Sequence, residues 1–299
     1  MNITVVGSVA LDSIKTPFGE GKNFLGGSAT HFSTSASFFT NVNLVAVVGD
    51  DFPDEHIQFL KSRNVDLEGL EVVKGLTFRW SGLYDYDLNT AHTLDTQLNV
   101  FRNFEPKLPD SYKNSEIVFL ANIDPSLQLK VLEQVQKPEL MVLDTMNFWI
   151  ENKPDELKKV ISKVDIVLMN DSEARELCKT FSLLDAARKV ISWGPKTVII
   201  KKGEHGVLMF TKDSHFAAPA FPLEDIKDPT GAGDSFAGGF LGYLAKSEDF
   251  SEPSVRKAIV YGSVMASFNV EDFSCGRLSR LADSEIEKRY KDFENITCF

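Results

Sequence analysis

Short apolar runs separated by helical spans dominate the second half of the chain, and the spans between them are about 15 to 25 residues long. The runs end, in order, at Leu120, Leu143, Met169 and Ile200. Strands that alternate with helices at this spacing are typical of βαβ units, whose parallel sheet is covered by helices on both faces. Apolar, β-branched runs at residues 3–7 and 45–49 add two earlier strands. The pattern therefore predicts an α/β fold with a mainly parallel central sheet.

A different pattern interrupts this alternation between residues 77 and 103. Residues 77–84 alternate between apolar and polar side chains, as a strand with one solvated face does. A turn at residues 87–90 follows, and residues 93–101 again have the composition of a strand. Such hairpin material predicts a small sheet outside the main layer.

The sharpest turn signal lies at residues 228–236, which read Asp-Pro-Thr-Gly-Ala-Gly-Asp-Ser-Phe. The proline restricts its own φ and pushes the residue before it towards an extended conformation, and the glycines allow backbone angles closed to other residues. Apolar side chains then recur at Phe236, Phe240 and Leu244, which is the stripe of a helix packed on a core. A helix is therefore predicted to begin within residues 231–234.

The first amides of that helix would have no partners inside it and would lie at the positive end of its dipole. Those amides belong to Gly231, Ala232, Gly233 and Asp234, and they could bind an anion such as phosphate. Asp234 has two interpretations. It could cap the helix, or it could be a base that takes the proton of a substrate hydroxyl as the oxygen attacks phosphorus.

Composition and charge narrow the class of protein. With 299 residues, of which 43% are hydrophobic, the chain can bury a large core, and one α/β domain with an appendage is expected. The net charge of −11 argues against nucleic acid or a membrane surface as a partner, because both need a basic face. No apolar run approaches the length of about 18 residues that suggests a membrane span, and residues 1–14 lack the basic flank of a signal peptide. Three cysteines without metal-ligand spacing favour reduced thiols over a disulfide framework, so a cytoplasmic protein is expected.

A second group of candidates lies near the start of the chain. Asp12 follows the first strand, where the ends of parallel strands line a ligand crevice, so it could bind substrate hydroxyls or belong to an ordinary turn. Gly26 and Gly27 allow close approach of the backbone to a ligand or to a neighbouring element. His31 could contact a ligand or be a partly buried histidine with satisfied hydrogen bonds.

Polar groups also follow three later strands, and Asp144 and Asn147 come after the first of them. Asn170 and Glu173 are three residues apart at a helix start and could present an amide and a carboxylate to hydrated Mg²⁺. A capping box with Asn170 as the cap explains the same pair. Lys201 could neutralise a phosphate, although a lysine at a strand end often has no specific role.

Together these segments resemble the ribokinase-like (PfkB) carbohydrate kinases, a group that also contains adenosine kinases. The resemblance covers nearly the whole chain, in order. Residues 228–236 look like the family's C-terminal signature, and Gly26-Gly27 before a helix looks like its N-terminal one. Residues 170–173 match its Asn-x-x-Glu element, and residues 201–206 match its Lys-x-Gly-x-x-Gly loop.

The resemblance implies a three-layer α/β/α kinase domain over residues 1–299, with a β-sheet lid formed by residues 13–25 and 77–103. It also implies transfer of the γ-phosphoryl group of ATP, with Mg²⁺, to a hydroxymethyl oxygen of a sugar or sugar derivative. In such kinases the lid covers the acceptor and often forms the contact of a homodimer.

The motifs also imply a role for each candidate residue. Asp234 would be the base, and the amides of residues 231–234 would form the anion hole. Asn170 and Glu173 would bind Mg²⁺ and phosphates, largely through water, and the nucleotide would contact Lys201, Gly203 and Gly206. The acceptor would be bound by Asp12, Gly26, Gly27 and His31. A monovalent cation such as K⁺ would bind at Asp228 and Thr230.

The chain departs from the family at the acceptor site, because many relatives have asparagine where it has His31. A familiar acceptor such as ribose is therefore not assumed. Arg79, Trp80 and Tyr84 on the predicted lid could stack on a nucleoside base or pack the lid or a dimer interface, and Arg79 could instead pair with an anionic acceptor.

Three functions are compatible with these observations. A sugar kinase is the first interpretation, and a nucleoside kinase of the adenosine type is the second. The third is a non-catalytic binding or scaffold protein, against which the intact Asp234 and its glycine turn argue.

Overall fold

The computed structural model describes residues 1–298, and within them the apolar runs pair into a nine-stranded sheet. Its strands, in chain order, are β1 (Ile3–Val6), β4 (Val42–Gly49), β5 (Val65–Val73), β8 (Ile117–Leu120), β9 (Leu140–Leu143), β10 (Ile166–Asn170), β11 (Thr197–Lys201), β12 (Val207–Thr211) and β13 (His215–Ala218). The order across the sheet is β13-β12-β11-β10-β9-β8-β1-β4-β5. All neighbours pair in parallel except β11 with β12 and β12 with β13, which are antiparallel.

Helices cover both faces of this sheet. They are α1 (Ser28–Ala36), α2 (Asp54–Ser62), α3 (Pro125–Leu132), α4 (Asn147–Asn152), α5 (Pro154–Ile161), α6 (Asp171–Cys178), α7 (Leu183–Ile191), α8 (Ala232–Ser247), α9 (Glu252–Asn269), α10 (Gly276–Ser279) and α11 (Asp283–Thr297). Short 3₁₀ turns lie at Asn99–Asn103 and Gly203–His205.

Two hydrophobic cores flank the sheet because successive strand residues point to opposite faces. In β8, Phe119 joins the core beneath α1, α8 and α9, whereas Leu120 joins the core beneath α3, α5, α6 and α7. Both residues are fully buried. Strands that are apolar at consecutive positions therefore fit only a sheet covered on both sides, as the sequence pattern predicts.

A second sheet of four strands stands at the end of β1. It contains β2 (Ala10–Thr16), β3 (Gly19–Gly26), β6 (Arg79–Tyr84) and β7 (Ala91–Gln97), in the order β3-β2-β6-β7. We call this four-stranded sheet the lid. The fold class is confirmed: a large, mainly parallel sheet with helices on both faces and a small additional sheet.

The predicted strand at residues 93–101 is wrong at its end. Strand β7 stops at Gln97, and Asn99 adopts a left-handed conformation with φ of 48° at the start of a 3₁₀ turn. The Asn99 side-chain amide donates to the Thr77 carbonyl, so a side-chain bond replaces strand pairing there.

The three cysteines are free thiols, with Cys178 and Cys275 buried and Cys298 exposed. Among the helices of residues 1–298, none is long and apolar enough to cross a membrane.

Phe119 is expected to contribute strongly to stability because it is fully buried and stacks on Phe32, with ring centroids 4.4 Å apart. Phe119→Ala leaves a cavity and should lower the free energy of unfolding by about 3–5 kcal/mol, measured by urea denaturation. The matched control is Phe181→Ala, since Phe181 is 90% exposed and should change stability little. Equal effects of the two substitutions would contradict this account of the core.

Candidate active site

The glycine turn places the N-terminus of α8 against α1. Gly231 is the N-cap of α8 and has a φ of 74°, in the left-handed region that favours glycine. A Cβ at Gly231 would collide with the His31 ring, so a side chain is excluded by packing as well as by backbone angle. The prediction that a helix begins within residues 231–234 is confirmed.

The amides of this turn are only partly used by the protein. The Ala232 amide donates to the Pro229 carbonyl at 3.1 Å. No hydrogen bond within residues 1–298 uses the amide of Gly231 or Gly233. The Lys201 ammonium lies beside this turn, and a Cβ on Gly233 would be 3.0 Å from Lys201 Nζ. Free amides at a helix start, beside a cation, form a site suited to an anion.

Asp234 is the third residue of α8 and does not cap it. The capping interpretation is therefore wrong, because the cap position belongs to Gly231 and no side chain bonds there. The Asp234 carboxyl is neither sealed in the interior nor fully exposed. Burial and the Asp144 carboxylate raise its pKa to about 7, against the opposing effect of His31 and Lys201.

Lys201 forms a buried ion pair with Asp144, and the Nζ to Oδ2 distance is 2.7 Å. The side chains are 17% and 6% exposed. Burial opposes the charge on Lys201, but Asp144 and Glu173 raise its pKa, so the lysine is cationic at neutral pH. Asp144 was not among the residues assigned a role from the sequence. Its signal is its position after β9, because neighbouring parallel strands bring Asp144, Asn170 and Lys201 to the same edge.

Asn170 and Glu173 form the capping box that the sequence offered as one interpretation. Glu173 Oε2 accepts from the Asn170 amide at 2.7 Å, and Asn170 Oδ1 accepts from the Glu173 amide at 2.8 Å. Burial, and next the Asp144 carboxylate, raise the pKa of Glu173 to about 8. The capping box fixes both side chains at the start of α6 and leaves Glu173 Oε1 and Asn170 Nδ2 without a partner among residues 1–298.

The loop after β11 returns the chain into β12. Gly206 is enclosed, because a Cβ there would collide with the Ala218 carbonyl. Gly203 lies under the lid, where a Cβ would be 2.7 Å from Asn89 Oδ1 in the β6–β7 turn. Gly203 follows Lys201 by two residues, so this loop borders the anion site.

Asp12 lies on the lid but faces the body of the protein. It is on β2 and 5% exposed, and burial raises its pKa to about 7, partly offset by His31. A Cβ on Gly26 would collide with the Asp12 carboxylate. Gly27, with a φ of 96°, packs on the Ser8 carbonyl at the start of α1. The glycine pair therefore allows the close approach that the sequence suggests.

His31 is oriented by Asn269, a residue that sequence reasoning missed. Asn269 Nδ2 donates to the Thr230 carbonyl at 2.8 Å, so Asn269 Oδ1 accepts from His31 Nδ1 at 3.2 Å. Cys275 Sγ is 3.7 Å from the same nitrogen. His31 Nε2 is buried and has no partner within residues 1–298. Asn269 could have been noticed as a polar residue at the end of the apolar face of α9.

Asp228 fixes the start of the turn. It is fully buried, and its carboxylate accepts from the Thr230 and Ser274 amides at 2.8 and 2.9 Å. Within residues 1–298 no group of three or more His, Cys, Asp or Glu is arranged to hold a metal ion. The monovalent cation expected at Asp228 and Thr230 stays a prediction.

Electrostatic coupling links the two halves of the site. Asp144 raises the pKa of Asp234, whereas His31 and Lys201 lower it. Burial lowers the pKa of His31, but Cys275, Asp234 and Asp12 raise it by more. The structure thus brings the predicted acceptor residues, the glycine turn and the Lys201 region into one site.

A model of the pfkB family carbohydrate kinases matches residues 2–280. The chain belongs to the PfkB family. It is 32% identical over 259 residues to a cytidine kinase of Thermococcus kodakarensis, a match that covers 84% of this chain and 91% of that protein. It is 26% identical to a nucleoside kinase of Methanocaldococcus jannaschii, with 97% of each chain covered.

The solved structure of the M. jannaschii nucleoside kinase superimposes on this PfkB kinase with a TM-score of 0.79 and 23% identity, covering 97% of this chain and 98% of the other. At that identity the structural match shows the shared fold. The sequence matches establish a PfkB-family kinase, whose relatives include both nucleoside and sugar kinases.

The raised pKa of Asp234 predicts a pH-dependent stability cost. The carboxyl has a pKa of about 7 in the folded chain and the ordinary aspartate value of 3.8 in the unfolded chain, so its protonated form stabilises the fold below about pH 4 and that contribution is lost as pH rises to about 7. Asp234→Asn should therefore gain stability relative to the parent as pH rises from about 4 to 7, with a constant difference above pH 7, measured by urea unfolding. The control is the exposed Asp213→Asn, and a pH-independent difference for Asp234→Asn would contradict the assigned environment.

Proposed function

We propose that this PfkB kinase transfers the γ-phosphoryl group of ATP to the hydroxymethyl group of a nucleoside, with Asp234 as the general base. The observation that carries the proposal is the position of Asp234: a partly exposed carboxyl at a helix start, beside unused amides and the Lys201 ammonium. A base must lie in the same cavity as the phosphoryl group that is transferred, and the position of Asp234 beside these amides and Lys201 is consistent with that requirement.

The acid–base property of Asp234 suits the role. A pKa of about 7 means that a large fraction of the carboxyl is ionised at neutral pH, yet its affinity for a proton exceeds that of an ordinary aspartate. Asp234 can thus accept the hydroxyl proton while the acceptor oxygen attacks the γ-phosphorus. Its neighbour Asp144 holds Lys201, which opposes the charge that develops on the phosphoryl oxygens.

The phosphates would lie on the amides of Gly231 and Gly233, with Lys201 alongside. Kinases of this family use ATP with Mg²⁺. Glu173 Oε1, which the capping box leaves free, lies near the strand edge of Asp144 and suits a hydrated Mg²⁺ held through water, whereas Asn170 Nδ2 is a donor suited to a phosphate oxygen. Mg²⁺ supplies neutralisation of phosphate charge, and Gly203 with Gly206 would border the nucleotide.

The inner face of the lid supports an acceptor with a flat ring. Trp80 lies opposite Asp12 in the parallel pair of β6 with β2, so the two side chains share one face of the lid. The partly exposed indole lies across Gly82, where a Cβ would collide with it, and Nε1 donates to Thr93 Oγ1 at 3.2 Å. A base stacked on Trp80 would leave its ribose near Asp12 and the 5′-hydroxyl towards Asp234.

Arg79 does not favour an anionic acceptor. Its guanidinium pairs with Asp51 Oδ2 at 2.7 Å and with Asn23 Oδ1 at 2.6 Å. Asp51 neutralises the guanidinium charge that would attract a sugar acid or a sugar phosphate. The cytidine and nucleoside kinases among the relatives favour an uncharged nucleoside as the acceptor. A 5-dehydro-2-deoxygluconokinase of Clostridium perfringens, 26% identical, makes a sugar the second candidate.

ADP release by the purified protein with Mg-ATP tests the proposal against a panel of pyrimidine and purine nucleosides, pentoses, hexoses and sugar acids. We expect turnover with a nucleoside, and a decrease in kcat on the order of 10²–10⁴-fold in Asp234→Asn with retained acceptor binding. Turnover with free sugars alone would overturn the nucleoside assignment. Silence across the panel with ATP still bound would favour a binding or scaffold protein.

Trp80→Ala should weaken nucleoside affinity about 5- to 150-fold, because stacking on an aromatic side chain is worth about 1–3 kcal/mol per base. Trp80→Phe retains a stacking surface and should restore most of that affinity. Titration calorimetry with the nucleoside, and with ribose as a ligand without a base, measures the effect. A loss of affinity that is equal for ribose and the nucleoside would contradict base stacking.

A further inference from the structure

One residue of the lid reaches past the acceptor residues to the anion-binding turn. Tyr84, at the end of β6, is 8% exposed, and its hydroxyl accepts from Thr230 Oγ1 at 3.2 Å. It shares its face of β6 with Trp80 and Gly82, since the three residues alternate along the strand. The lid therefore contacts the segment that leads into Gly231.

Thr230 is held from three directions. Its amide donates to Asp228 Oδ1 at 2.8 Å, and its carbonyl accepts from Asn269 Nδ2 at 2.8 Å. These two bonds come from the body of the protein, and Tyr84 supplies the third from the lid. Because Gly231 follows directly and its glycine backbone resists little deformation, the position of Thr230 affects where the Gly231 and Gly233 amides point.

A second contact extends the lid across the nucleotide side. Asn89, in the turn between β6 and β7, lies against Gly203, as the 2.7 Å separation between a Cβ there and Asn89 Oδ1 indicates. The end of β6 therefore contacts the anion-binding turn through Tyr84, and the turn that follows β6 contacts the loop after β11 through Asn89. Closure of the lid and the geometry of the phosphate site are linked through one hairpin.

We propose that Tyr84 is a positioning residue for phosphoryl transfer: through Thr230 it fastens the anion-binding turn when the lid is closed, so that catalysis depends on the lid as well as acceptor binding. This inference rests on the proposed function. Tyr84 acts through Thr230 and touches no reacting atom.

Tyr84→Phe removes the hydroxyl and keeps the ring. We expect kcat at saturating nucleoside and ATP to fall about 2- to 12-fold, the factor that one neutral hydrogen bond is worth, with a smaller change in the acceptor KM. The matched control is Tyr86→Phe, because Tyr86 is also on the lid but 84% exposed, and it should retain the parent kcat. An unchanged kcat in Tyr84→Phe, or a change confined to KM, would overturn the proposal.

A double-mutant cycle with Thr230→Val identifies the path of the effect. Valine keeps the branched shape and the backbone bonds of Thr230 but lacks its hydroxyl, so Tyr84→Phe should have little further effect on kcat in the Thr230→Val background. Additive losses would show that Tyr84 acts by another route and would overturn the role assigned to this bond.

Hydrogen exchange separates failure of this inference from failure of the proposed function. In the protein without substrates, amides of residues 230–236 should exchange faster in Tyr84→Phe than in the parent or in Tyr86→Phe. This measurement needs no turnover, so it decides the lid contact even if no acceptor is phosphorylated. Equal exchange in all three proteins would overturn the proposal.

Discussion

The buried pair between Lys201 and Asp144 is the interaction on which the site depends. Three carboxyl groups, those of Asp144, Glu173 and Asp234, lie close together at the edge of the sheet. The positive charge of Lys201 lowers the pKa of each of them, against the effect of burial. Removing charges from water is unfavourable unless an opposite charge lies close, and the 2.7 Å separation satisfies that condition. Burial, and next the Asp144 charge, raise the pKa of Glu173 to about 8 and that of Asp234 to about 7, so near neutral pH both groups are close to their titration midpoints and small changes in environment can move a proton. Phosphate charge brought to this edge would change that balance further.

Close approach of main chains brings the acceptor side to this charged edge. A side chain at Gly231 would push α1 away from α8 through the His31 ring, and a side chain at Gly26 would displace the Asp12 carboxylate. Asp12 belongs to the lid while His31 belongs to the body, and Asn269 ties His31 to the same turn that Thr230 enters. The lid is consequently part of the site and not only its cover. Specificity and catalysis share the same few contacts.

Several features could be predicted because they depend on local chemistry. The start of α8 follows from the glycines and the apolar stripe, and the capping box at Asn170 follows from residue spacing alone. The α/β class follows from apolar runs too continuous for a sheet with one solvated face. One prediction failed where a tertiary contact decides the structure, because β7 ends early where Asn99 bonds back to Thr77. Of the two interpretations of Asp234, capping is excluded because Gly231 occupies the cap position in a left-handed conformation. Asp144 and Asn269 could not be given roles beforehand, and Tyr84 was given only stacking or packing roles, because their partners Lys201, His31 and Thr230 are all far away in the chain.

The sequence by itself determined the family, the order of the strands and helices and the residue types at the glycine turn, since periodicity and short motifs record local backbone and burial requirements. Only the tertiary structure decided which side chains meet. It paired Arg79 with Asp51, left His31 Nε2 without a partner among residues 1–298, and set Trp80 beside Asp12 on one face of the lid. The physical reason is that charge pairing, desolvation and stacking act over a few ångströms in space. Separation along the chain does not encode such distances until the parallel strands have aligned their ends.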